Sequence, residues 1–273
     1  MHSNPWLESA AVALLAGTGV WLGRWFSKLS KPYWTLGYFI PLSLILLYGA
    51  ARQYPALAFV APISWMMTGR TKFTIIGFIA SMALTTPLSR LPKKRQCIMV
   101  SILMAVVAWQ MSVWLFLAPA FNRSYLAQLQ TRMDGDGVCR QSNDYNCGPA
   151  AAVTALRKLG LPAEEGEIAI LAHASSTTGT EPDVLALELQ KRYAKDGLVA
   201  EYRVFKNVAE LRSGGLTLAV VKFNFIVDHF VTVLEVNDSV VVVGDPLDGL
   251  KKLSHDEFRA RWRFAGIVLT RNP

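Results

Sequence analysis

Between Glu8 and Asp134 the sequence contains no acidic residue. That gap splits the chain into two parts of different kind. Up to Tyr125, eleven Lys and Arg stand against Glu8 alone, a balance of +10. From Leu126 onward seventeen stand against nineteen Asp and Glu, a balance of −2, and the two parts give the +8 of the whole. The basic excess therefore belongs to the apolar half, where it flanks hydrophobic runs as membrane-adjacent charge does. The second half carries no basic face or reader motif, which excludes nucleic acid as a partner.

Leu7 to Phe26 is about 20 mostly apolar residues, long enough to span a bilayer. It lacks a basic leading region and is followed by Arg24, Lys28 and Lys31, so it reads as an anchor and not as a cleaved signal peptide. Tyr33 to Ala51 is a second span, with Pro41 tolerated inside it, and Cys97 to Phe121 is the last. Between them, Phe73 to Leu88 makes only ~24 Å of helix against a ~30 Å core. Pro55 to Gly69, with Pro62 inside, is shorter still. Four-span and five-span layouts both leave seven basic residues on one side against five. The four-span layout is favoured, because the dense cluster Arg90–Arg95 belongs inside, and this sets the second half on the outer face of the membrane. Past Glu8 the spans hold no Asp, Glu or His, so they offer no ion site or proton relay. They read as an anchor in the cell membrane, with the lipid bilayer as partner and Met99, Met104 and Met111 as packing residues.

The chemistry lies further on, in Gln141-Ser-Asn-Asp-Tyr-Asn-Cys147-Gly-Pro-Ala-Ala-Ala. Asn143, Asp144 and Asn146 favour turns and caps, because their short side chains bond nearby backbone. Pro149 suits a first helical turn. Ala150 to Leu159 are helix formers, and Gly160 with Pro162 supplies a stop. Cys147 is thus predicted at a helix N-terminus, where unpaired N–H groups and the macrodipole favour a reactive thiolate. Most cysteines are inert apolar packing. Gln141, six residues upstream, and a pair of residues far downstream argue otherwise.

His229 opens the run His-Phe-Val-Thr-Val-Leu-Glu-Val, and Asp245 closes Ser-Val-Val-Val-Val-Gly-Asp. Both runs are β-branched and apolar, with turn chemistry at Asn237-Asp238-Ser239 between them. An antiparallel hairpin folded about residue 237 sets position 229 opposite position 245, on one sheet face with Cβ atoms ~5 Å apart. A carboxylate there fixes the tautomer and orientation of an imidazole. Asp228 alternates to the other face and is a poor orienter.

The pattern of Gln, six residues on Cys-Gly, an alanine-rich helix, then His and Asp-Pro sixteen apart, resembles the bacteriocin-processing (double-glycine leader) cysteine peptidases. The resemblance covers roughly Val138 to Leu269. It implies a papain-like α+β fold, with Cys147 as nucleophile, His229 as general base, Asp245 as orienter and Gln141 as oxyanion-hole donor. Many relatives have Asp before the Cys; here Asn146 takes that place and is expected to keep the helix-cap role. The best-known members are fused to an ABC transporter, whereas this sequence has no Gly-rich nucleotide loop.

The expected organisation is therefore a transmembrane anchor of about four α-helices over 1–123, a linker over 124–137, and a papain-like cysteine peptidase domain over 138–273. In the linker, Ser124 to Met133 is predicted as a short helix and Asp134–Gly137 as a hinge. The peptidase half is read as helices first (Glu164–Ala172, then a helix to about Lys195 opened by a Thr180/Asp183 capping box). Strands follow at 199–205, 216–223, 229–236, 239–244 and 265–270, with a Ser254/Glu257 capping box opening a helix to Arg263. This is an α+β order with an antiparallel sheet. Gly148, Gly179, Thr180 and Asn224 are expected to wall the substrate groove. His173 and His255 lack ligand partners at metal spacing, so neither a metal nor a cofactor is expected. Cys139 is either a packed free thiol or the partner of a reversible, silencing disulfide with Cys147. The expected substrate is a peptide or protein near the bilayer, with a membrane transport or secretion component as a possible further partner. Alternatives are a non-catalytic peptide-binding sensor and a membrane transport component.

Overall fold

The alanine-rich stretch after Cys147 forms the helix around which the second half of the chain is built, and the apolar runs before it form a separate helical unit. A computed structural model describes residues 5–67, 71–212, 215–224 and 227–272. It divides into two compact units, Met1–Ala120 and Phe121–Pro273.

In the first unit, α1 (Pro5–Ser27), α2 (Phe39–Gln53), α3 (Ile63–Met67), α4 (Thr71–Thr85) and α5 (Lys94–Ala108) follow one another. A π-turn at Trp109–Val113 leads from α5 into α6 (Trp114–Leu126). Among the described residues, two helical runs, Tyr33–Gln53 and Phe73–Arg90, are long and apolar enough to cross a membrane. Pro55 to Gly69 is broken into a 3-10 turn at Pro55–Phe59 and the single helical turns of α3, and residues 68–70 lie outside the described residues. Helices α1 and α4 approach closely because Gly19 and Gly23 have no side chain. A Cβ on Gly19 would stand 2.8 Å from the Phe78 carbonyl oxygen, and one on Gly23 would stand 2.7 Å from that of Met82.

The second unit begins with β1 (Arg132–Met133) and β2 (Cys139–Arg140), a small antiparallel pair. The linker helix expected over Ser124 to Met133 does not form as a unit. Helix α6 ends at Leu126, and Asp134 then turns the chain by accepting from the N–H groups of Asp136 and Val138, which lets β1 and β2 pair. Next come α7 (Cys147–Lys158), α8 (Glu165–Leu171) and α9 (Pro182–Tyr193). Then follow β3 (Leu198–Val204), β4 (Leu216–Lys222), β5 (Asp228–Val236), β6 (Val240–Asp245), β7 (Gly249–Ser254), α10 (His255–Arg261) and β8 (Trp262–Arg271). The six longer strands make one antiparallel sheet in the order β3-β8-β4-β5-β6-β7. This is the α+β arrangement with an antiparallel sheet expected from the sequence.

Period-two alternation in β4, β5 and β8 sends side chains into two cores. Leu218, Val220, Phe230, Ile267 and Leu269 face α7, whose alanines at 150, 151, 152 and 155 are all fully buried. Small side chains let the helix sit close to the sheet. Two side-chain bonds add to the packing: Thr232 Oγ1 donates to the Ala151 carbonyl at 2.8 Å, and Thr154 Oγ1 accepts from the Cys139 N–H at 2.9 Å. The other face carries Val231, Val233, Val241 and Val243, covered by Phe258 of α10 and Trp262. The Ser254/Glu257 capping box opens α10 as expected.

Candidate active site

Four segments meet around Cys147. Helix α7 starts at Cys147 itself, which is almost fully buried, and Gly160 ends it with φ +72°. Asn146 occupies the N-cap position, yet its side chain makes no cap bond. Its Nδ2 instead donates to Glu165 Oε1 at 3.1 Å, and its Oδ1, the atom a cap would need, is buried without a partner. The expected helix-cap role of Asn146 is therefore corrected.

His229 and Asp245 come together, by a route different from the expected one. The β5–β6 pairing sets Thr232 opposite Gly244 and Val233 opposite Val243, and a bulge lies between Val233 and Glu235. The turn at Asn237–Val240 centres the hairpin between 238 and 239 instead of on 237, and the bulge recovers one position, so His229 lies two positions beyond the residue that faces Asp245, a diagonal neighbour on the same face. A diagonal gap is within reach of long side chains, and His229 Nε2 meets Asp245 Oδ1 at 2.8 Å. Nδ1 is the ring nitrogen left over, and the Cys147 thiol interacts with the same ring.

The pair is dry, with His229 7 % and Asp245 8 % exposed. Burial alone would lower the imidazole pKa. The hydrogen bond to Asp245, the contact with Cys147 and the charges of both act the other way and push it up to about 9. Burial would raise the Asp245 carboxyl. The bond to His229, the Leu247 N–H at 2.9 Å and the charges of His229 and Lys251 outweigh that and hold it below the ordinary value. Lys251 Nζ stands 3.5 Å from Asp245 Oδ2.

Gln141 is joined to this turn through its backbone, whose N–H donates to the Pro246 carbonyl at 3.1 Å. Arg140 adds a bond from Nη2 to the Leu247 carbonyl. The Gln141 side chain donates from Nε2 to the Asn143 carbonyl at 2.8 Å, which fixes which end of the amide is nitrogen. One N–H of that nitrogen remains to be given elsewhere.

Residues 137–273 match the model of the Peptidase C39 family. The chain belongs to the Peptidase C39 family. It is a cysteine-type peptidase, a hydrolase of peptide bonds. The C39 half is similar to an uncharacterized protein of Methanothermobacter marburgensis, at 31 % identity over 132 residues, covering 48 % of this chain and 85 % of the relative. An uncharacterized protein of Methanothermobacter thermautotrophicus matches at 26 % identity over 141 residues, covering 52 % of this chain and 92 % of the relative. Among solved structures, the double glycine motif protease from an AMS/PCAT transporter, in complex with its leader peptide, aligns at a TM-score of 0.43 and 18 % identity. That alignment covers 53 % of this chain and 100 % of the other. The peptidase domain of Streptococcus ComA aligns at 0.41 and 18 %, covering 49 % and 96 %.

The residues expected to wall a groove in the C39 domain divide into two groups. Gly148 and Thr180 are adjacent, since a Cβ on Gly148 would lie 3.0 Å from Thr180 Cβ. Gly179, with φ +65°, has open space where its side chain would be. Asn224 turns its Oδ1 back onto the Val227 N–H at 2.8 Å and shapes its own loop, next to Phe223, whose ring centroid is 6.1 Å from that of His229. The rest of the Asn224–Asp228 segment includes residues 225 and 226, which lie outside the described residues. The capping box expected from Thr180 and Asp183 is also corrected. Pro182 takes the first helical position, so Glu181 is the N-cap, and Thr180 is buried with its Oγ1 unpartnered. Asp228 pairs with Arg263 at 2.9 Å.

Cys139 is a free thiol in the core, fully buried and pushed up to about 12, first by burial and then by the charge of Glu165. These properties fit the packed thiol rather than the silencing disulfide. In the sequence Glu165 reads only as part of the start of a helix, and nothing in the spacing of residues 141–165 signals a carboxylate turned inward.

Proposed function

We propose that the protein is a membrane-anchored cysteine peptidase with Cys147 as nucleophile, His229 as general base, Asp245 as its orienting partner and Gln141 as oxyanion donor. The observation that supports this best is the buried 2.8 Å bond between His229 Nε2 and Asp245 Oδ1, with the Cys147 thiol against the same ring. With the Nε2 proton held by the carboxylate, Nδ1 takes the Cys147 proton and leaves a thiolate–imidazolium pair. The sulfur attacks the scissile carbonyl carbon. The developing oxyanion is met by the Cys147 N–H at the start of α7 and by the remaining Gln141 N–H. The imidazolium then gives its proton to the leaving amine, and the acyl-enzyme forms. Water, deprotonated by His229, hydrolyses the thioester and returns the thiol.

The substrates proposed are exported or leader-type peptides close to a bilayer, with a transport or secretion component as partner. A preference for double-glycine leaders is what the resemblance to the double-glycine leader peptidases suggests. Anchoring by about four helices is supported by the apolar side chains that the first unit turns outward, among them Ile45, Leu46, Ile98, Met99, Ile102 and Leu103. With the cluster Arg90–Arg95 inside, the peptidase domain would face the outer side.

The test is cleavage of a peptidyl-Gly-Gly-aminomethylcoumarin by the full chain in detergent or liposomes. Wild type should release the dye, and Cys147→Ala and His229→Ala should lose at least ~10³-fold of that activity. Undiminished release by Cys147→Ala would overturn the proposal. Protease protection of right-side-out vesicles checks the face.

A further inference from the structure

We infer that Glu165 is a positioning residue of the peptidase, whose buried carboxylate clamps the loop 141–146 and so sets Cys147 and Gln141 in place; this rests on Cys147 being the nucleophile. Glu165 is fully buried. Its carboxylate accepts from the Ser142 N–H at 2.9 Å, from Ser142 Oγ at 2.7 Å and from Asn146 Nδ2 at 3.1 Å. All three donors belong to the six residues before Cys147. They grip that loop near both ends, one residue after Gln141 and one before Cys147.

The clamp has a fixed base. The Glu165 N–H donates to Thr131 Oγ1 at 2.7 Å. The next residue, Gly166, admits the Leu126 carbonyl so closely that a Cβ would stand 2.3 Å from its oxygen. Among the described residues no Lys or Arg makes an ion pair with Glu165. The nearby Arg157 pairs with Glu164 at 2.8 Å, and the titratable group that feels the charge of Glu165 is the Cys139 thiol. A buried carboxylate held only by neutral donors is costly for stability, and an apolar residue of similar volume would often serve packing as well. What an apolar residue would not supply is three directional bonds into the loop that carries the nucleophile.

The same geometry accounts for an amide at position 146. An acidic side chain there would bring two carboxylate oxygens to about the 3.1 Å that now separates donor and acceptor. Two carboxylates so close cannot both ionise, so one proton must be shared for the loop to stay closed.

The experiment compares the full chain, wild type, with Glu165→Ala, Asn146→Asp and Asn146→Asp/Glu165→Gln. Two probes are used: iodoacetamide alkylation of Cys147 read by mass, and hydrolysis of peptidyl-Gly-Gly-aminomethylcoumarin. Glu165→Ala should lose ~10²-fold in kcat with KM within a few-fold, as a misplaced nucleophile does. Asn146→Asp should be impaired at neutral pH and recover as the pH falls and the shared proton binds, an acid-side limb that wild type lacks. The double variant should lose that limb and regain rate at pH 7. Wild-type kcat in Glu165→Ala, or a wild-type pH profile in Asn146→Asp, would overturn the inference. If Glu165→Ala does not fold, the profile of Asn146→Asp decides alone. Activity that survives Cys147→Ala would instead overturn the catalytic reading, so the two failures are distinguishable.

Discussion

Replacing Asp245 by Asn removes one charge and little else, so it isolates what that charge does to His229. Oδ1 accepts from both the Leu247 N–H at 2.9 Å and His229 at 2.8 Å. The carbonyl oxygen of an asparagine can keep both bonds, with its NH2 turned toward Lys251, which retains its pairing with Asp248. The imidazole orientation should therefore survive. The stabilisation of the imidazolium should not. An opposite charge within ~4–6 Å raises a histidine by roughly 1–3 units, so in Asp245→Asn the imidazole should fall by about that much from its value of about 9. At 1.36 kcal/mol per unit this is about 1.4–4 kcal/mol less favourable for the charged form. The assay is 13C-histidine NMR on the full chain in detergent. The sequence has four histidines, and His229→Gln assigns the signal. Cys147→Ala should also lower it, because the thiol is the other contribution that raises the ring. A wild-type His229 titrating near its ordinary 6.5, or an Asp245→Asn value unchanged from wild type, would refute the reasoning.

The raised imidazole pKa also gives a stability profile. His229 is raised from 6.5 to about 9, so its contribution is fully present below 6.5 and lost as the pH rises through about 9. Thermal melts of wild type should therefore decline over that alkaline window, and those of His229→Gln should lack that decline. Cys139, buried and pushed up to about 12, should resist iodoacetamide in the folded protein and react only after denaturation; Cys139→Ser should leave the response of activity to oxidant unchanged. Gly148→Ala forces a Cβ to 3.0 Å from Thr180 and 3.3 Å from Phe230, and should cost about 1–3 kcal/mol by chemical denaturation. Trp262→Ala, in the core on the far face of the sheet, should cost about 3–5 kcal/mol and leave the pH dependence of His229 unaltered.

Much of this domain was legible in local pattern. Gly160 ends α7, the alanines fill it, and the Ser254/Glu257 box opens α10, because each of these signals acts within one or two turns of chain. The strands β3 to β6 and β8 follow from runs of β-branched residues. Strand β7 was missed because Gly249-Leu-Lys-Lys-Leu-Ser is weakly apolar and pairs as the outermost strand of the sheet, beside β6. The hairpin register differs by two residues from the expected one because the turn centres between 238 and 239, where Val236 pairs with Val241, and not on 237; the bulge between Val233 and Glu235 takes back one of three positions. Asn146 and Glu165 were illegible for a different reason. Which of two caps or carboxylates turns inward depends on tertiary burial, and a short polar residue before a helix looks the same whether it caps the helix or bonds elsewhere.

Site-mapped labelling with a peptidyl electrophile, such as a peptidyl-Gly-Gly vinyl sulfone, tests the central claim most directly. The chain has three cysteines, so the modified residue can be identified by mass. The label should fall on Cys147 in wild type and be strongly reduced in His229→Ala, with Cys97 and Cys139 unmodified. Labelling that falls on another cysteine, or that proceeds at the same rate without the His229 imidazole, would contradict a Cys147–His229 active site.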